Sequence, residues 1–254
     1  MVANRSSGLS HSWRYSLRQA LWAAADIVFP PRCAGCGRAG ARFCPACRET
    51  LARLPAPVCE SCGYPLPQAH GAGRCAVCGP AAPGTLAGIR SAAFFEGPLR
   101  EALHCLKYKR DIILADTLAQ VLLEAWRVYG LPGDLVVPVP LASQRLRERG
   151  YNQAALLARG FAQLGRLAYA QRGAVRVRHT ASQVGLPAGA RWDNVAGAFK
   201  GEGRAVAGRA VILIDDVCTT GATLRACAEA LMTAGATQVW GLTVARARRA
   251  VEMS

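Results

Sequence analysis

The stretch VILIDDVCTTGATLRACAEA, residues 211–230, decides how this chain is read. Val211 to Ile214 are apolar and suit a buried central strand, and Asp215 and Asp216 stand at its carboxyl end. Thr219, Thr220 and Gly221 then form a small-residue turn, after which Leu224, Cys227, Ala228 and Leu231 recur at helical spacing. The order is strand, acid pair, loop, helix. In open α/β sheets ligands bind beyond the carboxyl ends of strands, and a helix start offers free N–H groups and a positive dipole end to phosphate. Gly221 lets the backbone approach such a ligand, Thr219, Thr220 and Thr223 can donate hydroxyls, and ionised Asp215 and Asp216 accept hydrogen bonds from sugar hydroxyls. A phosphorylated ribose satisfies both halves. The competing readings are a receiver-type acid pair ending a first strand and an ordinary polar strand end. Both fit less well, because the pair lies near the C-terminus and TTGAT follows it; no GxxxxGK is present to indicate a nucleotide P-loop.

Outward from this segment the chain alternates apolar runs with helical periods. Leu135 to Val139, closed by Pro138 and Pro140, reads as a buried strand ending in a rigid loop. Val175–Arg178, Gly208–Ile214 and Gln238–Ala245 supply further strands. Leu99, Leu103 and Leu106 mark one helix face, Leu114, Leu118, Val121, Leu122 and Ala125 another, and Ala154–Leu164 a third helix. Strands separated by helices imply an α/β fold with a doubly wound parallel sheet, here over residues 85–254. The Pro/Gly/Ala stretch Pro80–Gly84 reads as the linker before it.

Ahead of that linker lies a different chemistry. Of eleven cysteines, eight form four CxxC pairs: Cys33/Cys36, Cys44/Cys47, Cys59/Cys62 and Cys75/Cys78. Two sulfurs spaced this way face one tetrahedral ion when the backbone turns as a knuckle, and two knuckles complete a four-thiolate shell. Gly35, Gly37, Gly63 and Gly79 fit such turns. The expectation is a double zinc ribbon over residues 29–80 with two structural Zn²⁺ sites, since closed four-thiolate shells leave no open position for catalysis. A disulfide lattice or redox CxxC motifs is the competing reading, disfavoured by four repeated knuckles. Sequential pairing of the knuckles keeps both loops short, and interleaved pairing stays open. His70 is read as a loop residue. So short a segment with few large apolar residues needs metal for most of its folding free energy. Residues 1–28 read as a tail, with Ala20–Phe29 a short amphipathic helix.

The formal charge of +15, from 31 Lys+Arg against 16 Asp+Glu, leans toward a polyanionic partner. Only 3 of the basic residues are Lys, so coding bias toward Arg is the competing explanation. Arg32, Arg38, Arg42, Arg48, Arg53 and Arg74 decorate the ribbon, as contact with phosphate backbones or a merely solvated surface would both allow. No apolar run approaches the ~18 residues that span a bilayer, Asp26 interrupting the longest; the expectation is a cytoplasmic protein without a membrane span.

Six segments together resemble the ComF (late competence) family, a zinc ribbon joined to a type I phosphoribosyltransferase domain. They are FPPRCAGC at 29–36, LKYKRD at 106–111, VPVPLASQRLRERGYNQA at 137–154, RHTASQVGL at 178–186, RWDNVAGAF at 191–199 and IDDVCTTGAT at 214–223. The resemblance implies that Asp215 and Asp216 hold the ribose hydroxyls of phosphoribosyl pyrophosphate (PRPP) as the catalytic acids. Thr219, Thr220, Gly221, Ala222 and Thr223 would wrap its 5′-phosphate, and Pro140, Leu141 and Arg145 would lie in a pyrophosphate loop. Arg178, Thr180, Gln183, Arg191 and Asn194 would sit on or near a flexible loop over the site. Mg²⁺ would accompany PRPP, and C1′ would gain oxocarbenium character as pyrophosphate leaves. Cys218, Cys105 and Cys227 are read as packing residues. By the same resemblance the protein would handle single-stranded DNA in natural transformation, with a competence helicase or channel as partner and a peripheral place at the inner membrane. No base for a particular acceptor is visible. A non-catalytic module that senses PRPP or docks a partner is the alternative.

Overall fold

The structure is a computed structural model and describes residues 30–68, 73–79, 84–178 and 195–249. His70, Thr180, Gln183, Arg191 and Asn194, the Ala20–Phe29 helix and most of the linker lie outside them. A short helix α1 (Pro45–Glu49) belongs to the cysteine-rich part. The chain then runs β1 (Gly88–Phe94), α2 (Gly97–Tyr108), α3 (Leu114–Tyr129), β2 (Leu135–Pro138), α4 (Ser143–Arg149), α5 (Gln153–Gly165) and β3 (Ala168–Tyr169). It continues through β4 (Ala174–Arg176), β5 (Phe199–Gly201), α6 (Gly203–Val206), β6 (Ala210–Cys218), α7 (Ala222–Thr233) and β7 (Gln238–Arg246).

Five strands form one parallel sheet in the order β1-β7-β6-β2-β3. Val211–Ile214 of β6 and Leu135–Pro138 of β2 are apolar on both sides because elements cover both faces there. Ile212 and Ile214 of β6 point into a core shared with α2, α3 and α5, while Val211 and Leu213 point into a second core shared with α7 and with β4 and β5. The sheet is doubly wound, as the alternation of elements requires. β1 was not legible in the sequence, since Gly88, Arg90 and two alanines break its apolar run, yet six of its seven residues are buried. The Val175–Arg178 strand proves to be β4, which pairs antiparallel with β5 outside the main sheet.

The eight knuckle cysteines gather as Cys33, Cys36, Cys44 and Cys47 and as Cys59, Cys62, Cys75 and Cys78, so pairing is sequential. No cysteine is joined in a disulfide. The Cys33–Cys47, Cys36–Cys44 and Cys62–Cys75 sulfurs are each 3.7 Å apart. A disulfide requires about 2.05 Å. Four sulfurs at the ~2.3 Å zinc–thiolate distance from one ion lie about 3.8 Å from each other, which matches. Backbone N–H groups of Gly35 and Cys44 donate to Cys33 Sγ, and that of Cys75 to Cys59 Sγ, as negative sulfurs demand. The donor set fits two structural zinc ions.

Both ribbons pack on the α/β part. The first leans on α2 and α3: Phe43, Cys47 and Leu51 join the core of that face, Arg42 pairs with Asp111 at 3.3 Å, and Arg48 and Arg53 both pair with Glu124. The second sits at β1, where the Ile89 N–H donates to the Ser61 carbonyl and Arg90 to that of Glu60. A Cβ on Gly63, at φ +68°, would fall 2.2 Å from the Ile89 carbonyl oxygen. Gly63→Ala should therefore cost ~2 kcal/mol or more, read as a lowered denaturation midpoint. Native mass spectrometry should find two Zn²⁺ per chain, and chelation should remove both and lower the thermal midpoint; a mass matching one ion would leave half the thiolates unused.

Candidate functional site

The site is assembled at the carboxyl edge of the sheet by three segments. The first is the end of β6, which pairs with β2 as far as Ile214 and with β7 through Cys218, so the acid pair itself is held along the β7 side. The strand extends through Cys218, which places the acid pair inside the paired region. Successive strand residues face opposite sides. Asp215 thus follows Leu213 toward α7, and Asp216 follows Ile214 toward α2.

The two acids are not equivalent. Asp216 is buried, and its Oδ2 lies 2.6 Å from the Nζ of Lys107, in the last turn of α2. Burial by itself would raise the Asp216 carboxyl, but Lys107 outweighs it and holds this group below the usual carboxylate range. Among the described residues no cation forms an ion pair with Asp215, and Lys107 acts on it only as the smallest influence. Burial and the neighbouring Asp216 charge push its carboxyl well above the usual range, with the backbone N–H of Asp216 offsetting part of this. Lys107 was missed in the sequence, although it stands in LKYKRD and is one of only 3 lysines in a chain that otherwise uses arginine. A flexible point charge suits a narrow buried approach better than a planar fork.

The second segment is the turn from β6 into α7. Gly221 adopts φ +82° at the helix N-cap, and a Cβ there would meet Ile89 Cδ1 at 2.7 Å. Thr220 Oγ1 accepts from the Ala222 N–H. Cys218, immediately before this turn, is buried, and burial pushes its thiol up to about 11, so it stays protonated and packs. Arg246, at the end of β7, is 2% exposed and donates both to Cys218 Sγ at 2.9 Å and to the carbonyl of Cys62, a member of the second sulfur cluster, at 2.8 Å. Arg249 donates to Cys62 Sγ and Cys75 Sγ, and Arg225 of α7 to Ser61 Oγ. The second ribbon is thereby tied directly to the turn that would hold phosphate.

The third segment is the connection from Val139 to Tyr151, in which Pro140 and Leu141 precede α4 while Arg145 lies within that helix, where the sequence reading expects a loop. Its start lies beside the acid pair, because the Val139 N–H donates to the Ile214 carbonyl. Its two ends are stapled by Asn152, whose Oδ1 caps α5 at Ala154 N while its Nδ2 donates to the Val139 carbonyl. Tyr151 donates its hydroxyl to the Leu106 carbonyl at the end of α2, next to Lys107. Neither staple was foreseen, though YNQ was part of the quoted motif.

A cavity of 620 Å³ opens between this loop and β4, walled by Pro140, Leu141, Tyr151, Arg172, Arg176 and Arg178 among others. Asp215, Asp216 and Thr219–Thr223 are not among its walls, so it lies apart from the turn into α7. Burial, then the charges of Arg145 and Arg178, lower the Arg176 guanidinium. Arg178 shares the cavity wall with Pro140 and Leu141, whereas Arg145 is not among its walls.

A buried carboxyl with a raised pKa binds more protons folded than unfolded, so its charging costs stability as pH rises through and above the ordinary Asp range. Asp215→Asn should raise the thermal midpoint by about 2–4 °C at pH 7.5, equivalent to ~1 kcal/mol, and give no gain near pH 4. An unchanged midpoint at pH 7.5 would show that the acid pair carries no such penalty.

A double zinc ribbon domain model matches residues 24–79. Over most of its length the chain is similar to the DNA utilization protein YhgH of Salmonella typhi, 36% identical over 207 residues, which span 79% of this chain and 89% of that protein. It is similar likewise to the YhgH protein of Escherichia coli K12 (33% over 208 residues) and to competence protein F of Haemophilus influenzae (32% over 212 residues), with the same coverage. Among solved structures, the allosteric regulatory enzyme of purine biosynthesis aligns at TM-score 0.35 and 25% identity over 51% of this chain and 25% of its own. Adenine phosphoribosyltransferase from Thermoanaerobacter pseudethanolicus aligns at TM-score 0.35 and 15% identity over 55% and 83%. Superpositions this loose carry no argument. The sequence relatives do, and with two sequentially paired four-cysteine clusters in front of a parallel α/β sheet, this chain belongs to the ComF competence family.

Proposed function

We propose that the chain binds PRPP at the end of β6 and acts as a phosphoribosyltransferase-like protein on or beside single-stranded DNA during DNA uptake. The observation that carries this is the convergence of the acid pair, the glycine-capped turn into α7 and the stapled Val139–Tyr151 loop at one sheet edge. Carboxylates accept from the two ribose hydroxyls, N–H and hydroxyl groups of Thr219–Thr223 receive the 5′-phosphate, and Arg145 neutralises pyrophosphate. Mg²⁺ entering with PRPP supplies further charge neutralisation on the leaving group. The protein's own part in transfer is orientation of C1′ and stabilisation of charge as the bond to pyrophosphate breaks. The DNA part rests on the names of the relatives, a DNA utilization protein and a competence protein, and on the charge of +15.

The Lys107–Asp216 ion pair supports a second reading. One of the two acids is already neutralised from within, as suits a site that grips PRPP without turning it over and passes its occupancy to a docked partner. Calorimetry of the zinc-loaded protein with PRPP and Mg²⁺ should show saturable binding, weakened at least tenfold by Asp215→Asn and by Asp216→Asn. Absence of heat from the folded wild type would sink the PRPP reading. Pyrophosphate release across a panel of acceptors separates the two readings: release favours transfer, and binding without release favours the sensing module.

A further inference from the structure

Lys107 faces inward to Asp216, but the residues that follow it do the opposite. Tyr108, Lys109 and Arg110 are all exposed, as is His104 one turn back. Tyr108 is 65% exposed, an unusual disposition for a ring that could bury much of its area. It is held on two sides: the His104 ring lies 5.2 Å away, and the Arg149 guanidinium, anchored by a 2.9 Å bond to Gln153 Oε1, lies 5.2 Å over its face. Among the described residues no carboxylate pairs with Lys109, Arg110 or Arg149. Asp111, next to Arg110, is taken by Arg42, and Glu148, next to Arg149, accepts from Gln144.

An ordered, solvent-facing aromatic ring beside cations without acidic partners is what a single strand needs, because bases stack on the ring and phosphates lie on the charges. The ribbon arginines are less suited. Arg42, Arg48 and Arg53 are committed to Asp111 and Glu124 of the α/β part. We propose that the end of α2 and the last turn of α4 form the single-stranded DNA contact of this protein, with Tyr108 as the stacking platform and Lys109, Arg110 and Arg149 as backbone contacts. This rests on the DNA half of the proposed function and adds a location to it. Tyr151, whose hydroxyl reaches the Leu106 carbonyl, joins this platform to the cavity and the pyrophosphate loop, so a strand stacked here passes the mouth of the candidate site.

The test is fluorescence anisotropy of the full zinc-loaded chain with labelled oligothymidylate of about 15 nucleotides, from about 50 mM salt upward. Tyr108→Ala should weaken binding about tenfold or more while Tyr108→Trp keeps it. Lys109→Gln with Arg110→Gln should flatten the log–log salt slope by about 1.4, or ~0.7 per lost contact. Arg38→Gln on the ribbon should change little. An unaltered melting curve for Tyr108→Ala shows that the fold survives. Wild-type affinity retained in Tyr108→Ala, or lost instead in Arg38→Gln, overturns the location and leaves DNA binding standing. No binding by the wild type overturns both.

Discussion

A carboxylate cannot be buried beside a second carboxylate without a counter-charge, and this sets the layout of the whole sheet edge. β6 carries Asp215 and Asp216 in succession on opposite faces, the first half-buried and the second buried, close enough that each charge disfavours the other. Lys107 resolves the conflict for one of them. To deliver that ammonium, α2 must end next to β6, and this places Tyr151, and through it the Val139–Tyr151 loop, against the same helix end. The ion pair therefore determines more than local electrostatics. It divides the acids into one that is structurally satisfied and one that remains at raised proton affinity, available to a ligand that can donate hydrogen bonds.

The second ribbon extends this dependence to metal. Arg246 is among the largest fully buried side chains, and its guanidinium bridges the Cys62 carbonyl and the Cys218 thiol. Stacked near Tyr64, it joins a sulfur cluster to the residue before the turn into α7. Such a contact is tolerable in the interior only when both partners are in place, because removing either strands a buried cation. The zinc ribbon is thus part of the scaffold of the site, although its closed sulfur shells have no open position for chemistry. The first ribbon relates differently to the fold. It joins the core beside α2 and α3 and commits Arg42, Arg48 and Arg53 to Asp111 and Glu124, so that part of its basic character contributes to docking.

The motifs that bear chemistry were readable because their parts are close along the chain. CxxC spacing constrains sulfurs through a few backbone bonds, and the run from Val211 to Thr223 contains strand, acids, glycine turn and helix start within one segment. The parallel sheet followed from the alternation of elements. β1 and β3 escaped notice because Gly88, Arg90 and the alanines of one, and the two-residue length of the other, leave no periodic signal; their strand character comes from pairing with β7 and β2. The separate pairing of β4 with β5 was invisible for the same reason.

By itself, then, the sequence determined the identity of the metal shells, the strand-to-helix turn with its acids, and membership in an α/β class, since each depends on spacing within a few residues. Tertiary structure alone decided which acid is neutralised, how the ends of the Val139–Tyr151 segment are stapled, and that a ribbon supports the turn into α7. Arg246 and Cys62 are 184 residues apart. No local pattern encodes such a pair, because the burial that makes their hydrogen bond worth forming exists only once the strands have assembled.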